Sequence, residues 1–362
     1  MKGSGENAVM IDAMRLVLSS WIRLYVVVAM AALGVCSPVA AQDSIVVVGS
    51  GSTVPDPLYK KWAEEFNRRN PRVQFRYLPL GTSESIRLVS KGSGEFGAGE
   101  VQLSTKELSD LRLTLVPTVL VAIVPIYNLP GVSGEVRFSG EALAEIYLGK
   151  ISKWNDAALA RVNPTLNLPN VAIKVVYRPA GKGSNFIFSD YLSKVSPAFR
   201  TSVGRSASPK WPVGVAAERS SDMADKVKSE TGSIGYVELS YAIKARIDYG
   251  AVQNASGHYV KASRDSLLAA CTALLKSVPD NFSVSLTNAP GENSYPLTSL
   301  TWLYLPAHPS TAARGAATTE LVQWMLGEGQ TLAHLEGYTE LPPPLLAKVK
   351  ARLMANASAA SH

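Results

Sequence analysis

Apolar residues along the chain follow two patterns that alternate from the N-terminus to the C-terminus. Short β-branched or apolar runs bounded by turn residues are typical of strands, whereas apolar residues three or four positions apart are typical of helices. The predicted strands cover residues 44–49, 73–80, 113–127, 171–177, 232–238 and 299–305. The predicted helices cover residues 57–69, 86–90, 140–149, 318–326 and 343–353, the last two being the closing helices of the chain.

This alternation predicts an α/β protein with largely parallel sheets. In such sheets, ligands bind at the carboxyl ends of the strands, where the loops meet the N-termini of helices. The chain has 362 residues, of which 46% are hydrophobic and 18% are charged. That length and composition allow a large buried core divided between two lobes.

The first 41 residues have the composition of a secretory signal peptide. Arg15 and Arg23 precede an apolar stretch at 24–35, which is short for a membrane span, and Val39-Ala-Ala41 is a typical small-residue cleavage site. We therefore expect cleavage after Ala41 and export from the cytoplasm, with translation starting at Met1 or, for a more ordinary signal, at Met14.

The two cysteines have different predicted roles. Leu33-Gly-Val-Cys36 is close to a lipoprotein signal, which would place a lipid on Cys36, but Val35 is larger than the residue usual at that position. Cys271 lies in an amphipathic helical pattern and is predicted to be a buried apolar side chain rather than a nucleophile. No internal disulfide is expected after signal cleavage.

The formal net charge is +7, and removal of residues 1–41 takes away three basic and two acidic residues, leaving +6. A basic balance fits an anionic ligand, a nucleic acid or an anionic membrane. The basic residues are scattered, with no run of five or six, so no nucleic-acid-binding arm is expected.

Three strand-to-helix turns share one chemistry: Gly49-Ser-Gly-Ser-Thr-Val54, Gly81-Thr-Ser-Glu-Ser85 and Gly181-Lys-Gly-Ser-Asn185. A helix N-terminus presents unpaired N–H groups and the positive end of the helix dipole. Glycines let an anion approach these N–H groups, and hydroxyls add donors. One such turn is ordinary helix capping. Three in one chain raise the alternative hypothesis that the turns converge on an oxyanion.

Arg178 follows the strand that ends at Tyr177, so its planar guanidinium should lie at the carboxyl end of that strand and suits a tetrahedral oxyanion. The alternative is a surface arginine that pairs with a carboxylate. Lys182, in the turn itself, could contact the anion or point to solvent.

Catalytic and cofactor motifs are poorly matched. Ser184 stands in G-K-G-S rather than in G-x-S-x-G, no G-x-x-x-x-G-K-[ST] occurs, and Gly49-Ser-Gly51 lacks the third glycine of a dinucleotide site. No Cys/His cluster indicates a metal. The four histidines lie far in sequence from the turns. We expect a binding protein without metal or cofactor, not an enzyme.

Motifs throughout the chain after residue 52 resemble those of the periplasmic phosphate-binding proteins of ABC phosphate importers. They are Thr53-Val-Pro-Asp-Pro-Leu-Tyr59 with Trp62, Gly81-Thr-Ser83, Glu95-Phe-Gly-Ala98, Pro117-Thr-Val119, Tyr127-Asn-Leu-Pro-Gly131, Ile146-Tyr-Leu-Gly-Lys-Ile-Ser-Lys-Trp154, Asn163-Pro164, Phe186-Ile-Phe-Ser-Asp-Tyr-Leu192, Lys210-Trp-Pro212, Gly232-Ser-Ile-Gly-Tyr-Val-Glu238, Leu286-Thr-Asn288 and Pro296-Leu-Thr-Ser299.

The resemblance implies a type II periplasmic binding fold, in which two α/β lobes enclose the ligand. The chain would cross between the lobes near residues 121 and 290, so that residues 42–121 and 290–362 form lobe 1 and residues 122–289 form lobe 2. It also implies a monomer that captures inorganic phosphate and delivers it to an ABC permease and its ATPase.

Site residues are carried over from the family position by position. Hydroxyls, backbone N–H groups, an arginine and an acid would bind the anion. The implied ligand-binding residues are Thr53, Val54, Thr82, Glu100, Arg178, Lys182, Gly183 and Ser184.

This chain departs from the family pattern at several of these turns. Glu100 replaces an aspartate, Lys182 replaces a serine, Ala180 replaces an aspartate that steadies the arginine, and Glu84 and Ser85 replace glycines. Lys182 would pair with Glu100 or contact the anion. Arsenate or another oxyanion, a phosphorylated small molecule, and an adhesion or sensor role on the same fold therefore remain alternatives to phosphate transport.

Overall fold

The computed structural model describes residues 44–359. The predicted signal peptide, the alternative start at Met14 and the lipidation alternative at Cys36 all lie outside these residues. The fold below is that of the compact unit to which these residues belong. Among the described residues, no helix has both the length and the hydropathy needed to cross a bilayer.

Strands and helices alternate through the described chain. The strands are β1 Ile45–Gly51, β2 Val73–Leu78, β3 Phe96–Gly99, β4 Leu113–Tyr127, β5 Arg137–Phe138, β6 Lys174–Tyr177, β7 Val215–Ala216, β8 Ser233–Glu238, β9 Ala251–Gln253, β10 Tyr259–Val260 and β11 Thr298–Pro306. The helices are α1 Asp56–Arg69, α2 Thr82–Ser90, α3 Thr105–Leu111, α4 Gly140–Tyr147, α5 Ala157–Val162, α6 Gly183–Val195, α7 Pro197–Ser202, α8 Ser220–Ser229, α9 Leu239–Lys244, α10 Arg264–Ala273, α11 Ala312–Met325, α12 Glu328–Leu335 and α13 Pro343–Ala359, with a 3₁₀ turn at Leu275–Ser277.

Eight strands form one sheet in the order β2-β1-β3-β11-β4-β8-β6-β7, and β10-β9-β5 form a small second sheet. The α/β class is confirmed, but the prediction of largely parallel sheets is only partly right. The outer pairs of the large sheet are parallel, whereas the central pairs β3·β11, β11·β4 and β4·β8 are antiparallel. A hydrophobic pattern identifies a strand without giving its direction. The antiparallel pairing of the central strands therefore could not be predicted from the sequence.

Strand β4 joins the two halves of the large sheet. Its 15 residues are buried except at Thr114 and Tyr127, as the continuous apolar run predicts. Residues 113–122 pair with β11, and residues 123–127 pair with β8. The strand thus changes its partner between Ala122 and Ile123.

Most predicted elements are present with boundaries shifted by a few residues. The strand predicted over 171–177 begins at Lys174, and the helix predicted from residue 86 begins at Thr82. Cys271 is buried within α10, as predicted, and burial raises the pKa of its thiol to about 12, so the side chain is uncharged at neutral pH.

Helix α12 was not predicted, because Gly327-Glu-Gly329 resembles a turn. In the structure Gly329 packs against the Trp62 indole, and the Trp62 Nε1–H donates to the Gly329 carbonyl at 2.9 Å. A β-carbon at Gly329 would lie 3.3 Å from the Trp62 ring, so the glycine eases this close contact with α1. The chain therefore closes with three helices rather than two.

Candidate anion-binding site

The three turns singled out in the sequence follow β1, β2 and β6 and lie together at the carboxyl ends of these strands. The Gly81 N–H donates to the Gly51 carbonyl at 2.7 Å, which joins the first turn to the second. The Ser83 N–H donates to the Gly181 carbonyl at 3.2 Å, which joins the second turn to the third. Gly81 has a φ of +98°, which a residue with a side chain rarely adopts. The turns therefore converge, as their shared pattern predicts.

Arg178 follows β6 directly and is only 2% exposed. Its Nη2 donates to Thr53 Oγ1 at 3.3 Å and its Nη1 to Ser220 Oγ at 3.2 Å. The buried Nε has no acceptor among the described residues. Because a buried donor without a partner is costly, the guanidinium retains a strong capacity to bind an anion.

Asn185, in the first turn of α6, fixes the backbone around Arg178. Its Nδ2 donates to the carbonyls of Arg178 at 3.1 Å, Pro179 at 2.7 Å and Ala207 at 3.1 Å. The Tyr236 hydroxyl donates to Asn185 Oδ1 and accepts from the Arg178 N–H at 3.1 Å. The arginine is thus held by its own main chain as well as by its side-chain contacts.

Glu100 follows β3 and is fully buried beside the second turn. Thr301 Oγ1 donates to Oε1 at 3.1 Å, and Thr82 Oγ1 lies 3.5 Å from Oε2. Burial raises the pKa of Glu100 to about 7, with a smaller contribution from the negative charge of Glu238, while hydrogen bonds from Ser52 and Thr301 oppose the rise. Near neutral pH the group is therefore present in both its charged and its neutral form.

Gly183 and Ser184 form the start of α6 and are both buried. A β-carbon on Gly183 would overlap the Glu100 carboxylate and would lie 2.8 Å from Thr82 Oγ1. The lack of a side chain at Gly183 thus allows the third turn to approach the second. Ser184 places a hydroxyl in the same first turn, beside the helix N–H groups.

Val54 lies in the first turn with its backbone already engaged. Its N–H donates to Ser52 Oγ at 3.1 Å, and its carbonyl accepts from the Tyr338 hydroxyl at 2.9 Å. The N–H bond is long and local, so an anion would have to share this donor with Ser52.

Lys182 pairs with a different carboxylate from Glu100, the acid named as one of its two expected partners. Its Nζ forms an ion pair with Glu218 Oε1 at 2.5 Å, and the lysine side chain is only 12% exposed. Among the ion pairs of residues 44–359, none joins Lys182 to Glu100. Glu218 lies in the loop before α8. Its carboxylate offsets the positive charge that Lys182 adds to the third turn.

These residues form a site with many donors and one deeply buried acceptor. The hydroxyls of Thr53, Thr82 and Ser184, the guanidinium of Arg178 and the N-terminus of α6 are donors, whereas ionised Glu100 only accepts. Such a set suits an oxyanion that still carries a proton. In the described part of the chain, no cluster of three His, Cys, Asp or Glu side chains could hold a metal ion.

Sequence reasoning missed Ser220, Asn185 and the involvement of Glu238 and Glu218 around this site. Glu238 lies at the carboxyl end of a predicted strand, the same kind of position that identified Arg178. Examination of the carboxyl end of every predicted strand would have found this carboxylate. Ser220 and Glu218 carried no comparable signal, because their contacts depend on how distant segments pack.

Comparison with known proteins places the chain in a family. The PBP superfamily domain model matches residues 38–328. Phosphate-binding protein PstS of Xylella fastidiosa strain Temecula1 is 36% identical over 309 residues, covering 85% of each chain. PstS of Haemophilus influenzae is 33% identical over 316 residues, covering 87% of this chain and 94% of its own.

Solved structures show the same fold. A phosphate-binding protein from Stenotrophomonas maltophilia superposes with a TM-score of 0.64 at 17% identity, covering 85% of this chain and 94% of its own. An ABC-type phosphate transport receptor from Vibrio cholerae superposes with a TM-score of 0.58 at 15% identity, covering 82% of this chain and 100% of its own. Since the family model covers most of the chain and the PstS relatives share a third of their residues with it, the chain belongs to the PstS family of the PBP superfamily and has the type II periplasmic binding fold.

Proposed function

We propose that this protein captures inorganic phosphate outside the cytoplasm and delivers it to an ABC importer. The observation that carries the proposal is that three converging turns hold two separate buried groups, Arg178 with its unpartnered Nε and the carboxyl group of Glu100. The names of the PstS relatives agree with this ligand and role. The protein would bind and release its ligand unchanged and would not be an enzyme.

The bound anion would accept from donors on all three turns, including the N–H groups of Val54 and Gly183. Ionised Glu100 would accept a hydrogen bond from a protonated ligand oxygen. Phosphate carries such a proton at neutral pH, whereas sulfate does not. The proposed ligand-binding set is Thr53, Val54, Thr82, Glu100, Arg178, Lys182, Gly183 and Ser184.

The two lobes would be residues 42–121 with 290–362, and residues 122–289. The change of strand partner after Ala122 supports a crossing near residue 121. The bonds from Ser83 to Gly181 and from Arg178 to Thr53 would then join opposite lobes, so they are contacts that close the cleft. Closure around phosphate would signal the permease and its ATPase, by shifting an open–closed equilibrium.

The cellular setting follows from this role. The exported protein would act as a monomer in the periplasm, after removal of the signal peptide at residues 1–41. The basic net charge of the mature chain is compatible with an anionic ligand.

Calorimetric titration of the mature protein with phosphate, arsenate and sulfate tests the proposal, after bound anion has been stripped by partial unfolding and refolding. We expect tight phosphate binding, weak sulfate binding and loss of phosphate binding in Arg178→Ala. Arg200→Ala, an exposed arginine on α7, is the matched control. A folded, stripped wild type that ignores phosphate would refute the proposal and would direct the search to larger phosphorylated ligands.

A further inference from the structure

Glu238 is a buried carboxylate at the end of β8, and it reaches Arg178 through one hydroxyl. Its side chain is 6% exposed. Ser220, the first residue of α8, donates from Oγ to Glu238 Oε2 at 2.6 Å and accepts from Arg178 Nη1 at 3.2 Å. Arg178, Ser220 and Glu238 therefore form a chain of two hydrogen bonds.

The direction of these bonds is fixed by the carboxylate. Ser220 has a single hydroxyl hydrogen, and an ionised carboxylate can only accept, so that hydrogen points to Glu238. The lone pairs of Ser220 then face Arg178. Replacing Glu238 with glutamine would remove the charge and keep one oxygen that can accept from Ser220.

Arg178 has neutral partners only. Its Nη atoms donate to the hydroxyls of Thr53 and Ser220, and within residues 44–359 no carboxylate pairs with it directly. A buried guanidinium is costly unless a negative charge lies near. Of the contacts that Arg178 makes, the one through Ser220 leads to such a charge.

We propose that Glu238 is a built-in counter-charge for Arg178, which competes with the bound anion and speeds its release. The inference rests on the proposed function, since the anion is phosphate. In this poorly solvated site, the Glu238 carboxylate stabilises the guanidinium when phosphate is absent and repels phosphate when it is present. The negative charge of Glu238 also contributes to the raised pKa of Glu100, which shows that its electrostatic effect extends to the second turn.

The test compares wild type with Glu238→Gln and Glu238→Ala, by phosphate calorimetry and by stopped-flow dissociation. Glu292→Gln is the control, because it removes one charge from an exposed position in a loop. We expect both Glu238 variants to bind phosphate roughly tenfold more tightly and to release it more slowly. The melting temperature of the stripped variants should fall, and its rise on adding phosphate should be larger than in wild type.

A purely structural role for Glu238 gives a different result. It would lower the melting temperature and would leave phosphate binding unchanged or weaker. Unchanged or weaker binding in a folded Glu238 variant, with wild type binding phosphate, would therefore overturn this inference alone. A wild type that binds no phosphate would overturn the proposed function and this inference together.

Discussion

The carboxylate of Glu100 occupies the space into which a side chain on Gly183 would project. A β-carbon on Gly183 would overlap Glu100 Oε2 and would lie 2.8 Å from Thr82 Oγ1. Gly183 has no positive φ, so steric contact with the second turn, and not backbone conformation, is what requires glycine here. The side chain of Glu100 and the absence of a side chain at Gly183 are therefore sterically complementary.

Gly183→Ala should accordingly prevent the second and third turns from closing together. We expect phosphate affinity to fall between about fivefold and 150-fold, because overpacking costs on the order of 1–3 kcal/mol. The melting temperature of the stripped protein should change little if the cleft can open. Calorimetry and thermal denaturation on the same samples measure both quantities.

The matched variant is Glu100→Asp in the Gly183→Ala background. Aspartate is shorter by one methylene and should withdraw the carboxylate from the new methyl group. Recovery of part of the lost affinity would show that the two residues act as a pair. Equal losses with and without the shorter acid would contradict the steric explanation.

The buried acid also makes stability depend on pH. Burial raises the pKa of Glu100 from its usual value of 4.5 to about 7, so the folded state holds a proton that the unfolded state releases between these values. The free energy of unfolding should therefore fall as pH rises from about 4.5 to 7. The contribution of this group is up to roughly 3 kcal/mol.

Urea denaturation of stripped wild type and Glu100→Gln at pH 5 and pH 8 isolates this contribution, since the other titrating groups cancel in the difference. Glutamine should stabilise the protein more at pH 8 than at pH 5. Glu292→Gln should show no such dependence. An equal effect of Glu100→Gln at both pH values would mean that Glu100 has an ordinary pKa.

The affinity for sulfate should also depend on the protonation state of Glu100. Neutral Glu100 can donate to a fully ionised oxyanion, whereas the charged form repels it. With a pKa of about 7, the neutral fraction falls about tenfold from pH 5.5 to pH 8, so sulfate affinity should fall by about the same factor. Competition calorimetry measures this, and sulfate affinity that stays constant over the range would exclude Glu100 as the discriminating group.

Local sequence features predicted the parts of the site that each segment carries by itself. A strand ending at Tyr177 placed Arg178 at a carboxyl end, and the glycine and hydroxyl pattern marked the three turns. The apolar run at 113–127 likewise predicted one long buried strand. The fold class and the convergence of the turns were therefore accessible before the structure.

Contacts between distant segments were not accessible in this way. Ser220 lies 42 positions from Arg178, and its hydroxyl resembles that of any helix-capping serine. Lys182 pairs with Glu218, 36 positions away, although Glu100 was the expected acid. Such partners are selected by tertiary packing, and residue type gives no indication of which carboxylate will be nearest.

Asn185 supplies the last test, because it supports the site without belonging to the predicted ligand set. Its amide satisfies three backbone carbonyls around Arg178, and it is fully buried. Asn185→Ala would leave the carbonyls of Arg178 and Pro179 without this donor and the Tyr236 hydroxyl without its acceptor, whereas the Ala207 carbonyl would keep the Gly181 N–H. We expect a loss of about 2–4 kcal/mol in the free energy of unfolding and weaker phosphate binding, because the arginine is no longer held.

Asn128→Ala is the matched control, since half-buried Asn128 also donates to a backbone carbonyl, that of Lys228 at 2.9 Å, but through a solvent-exposed hydrogen bond. Urea denaturation and phosphate calorimetry on both variants separate the two effects. The control should lose about 1 kcal/mol or less and keep its affinity. If Asn185→Ala kept full affinity in its folded state, Arg178 would be positioned by its side-chain contacts alone, with Asn185 contributing only to stability.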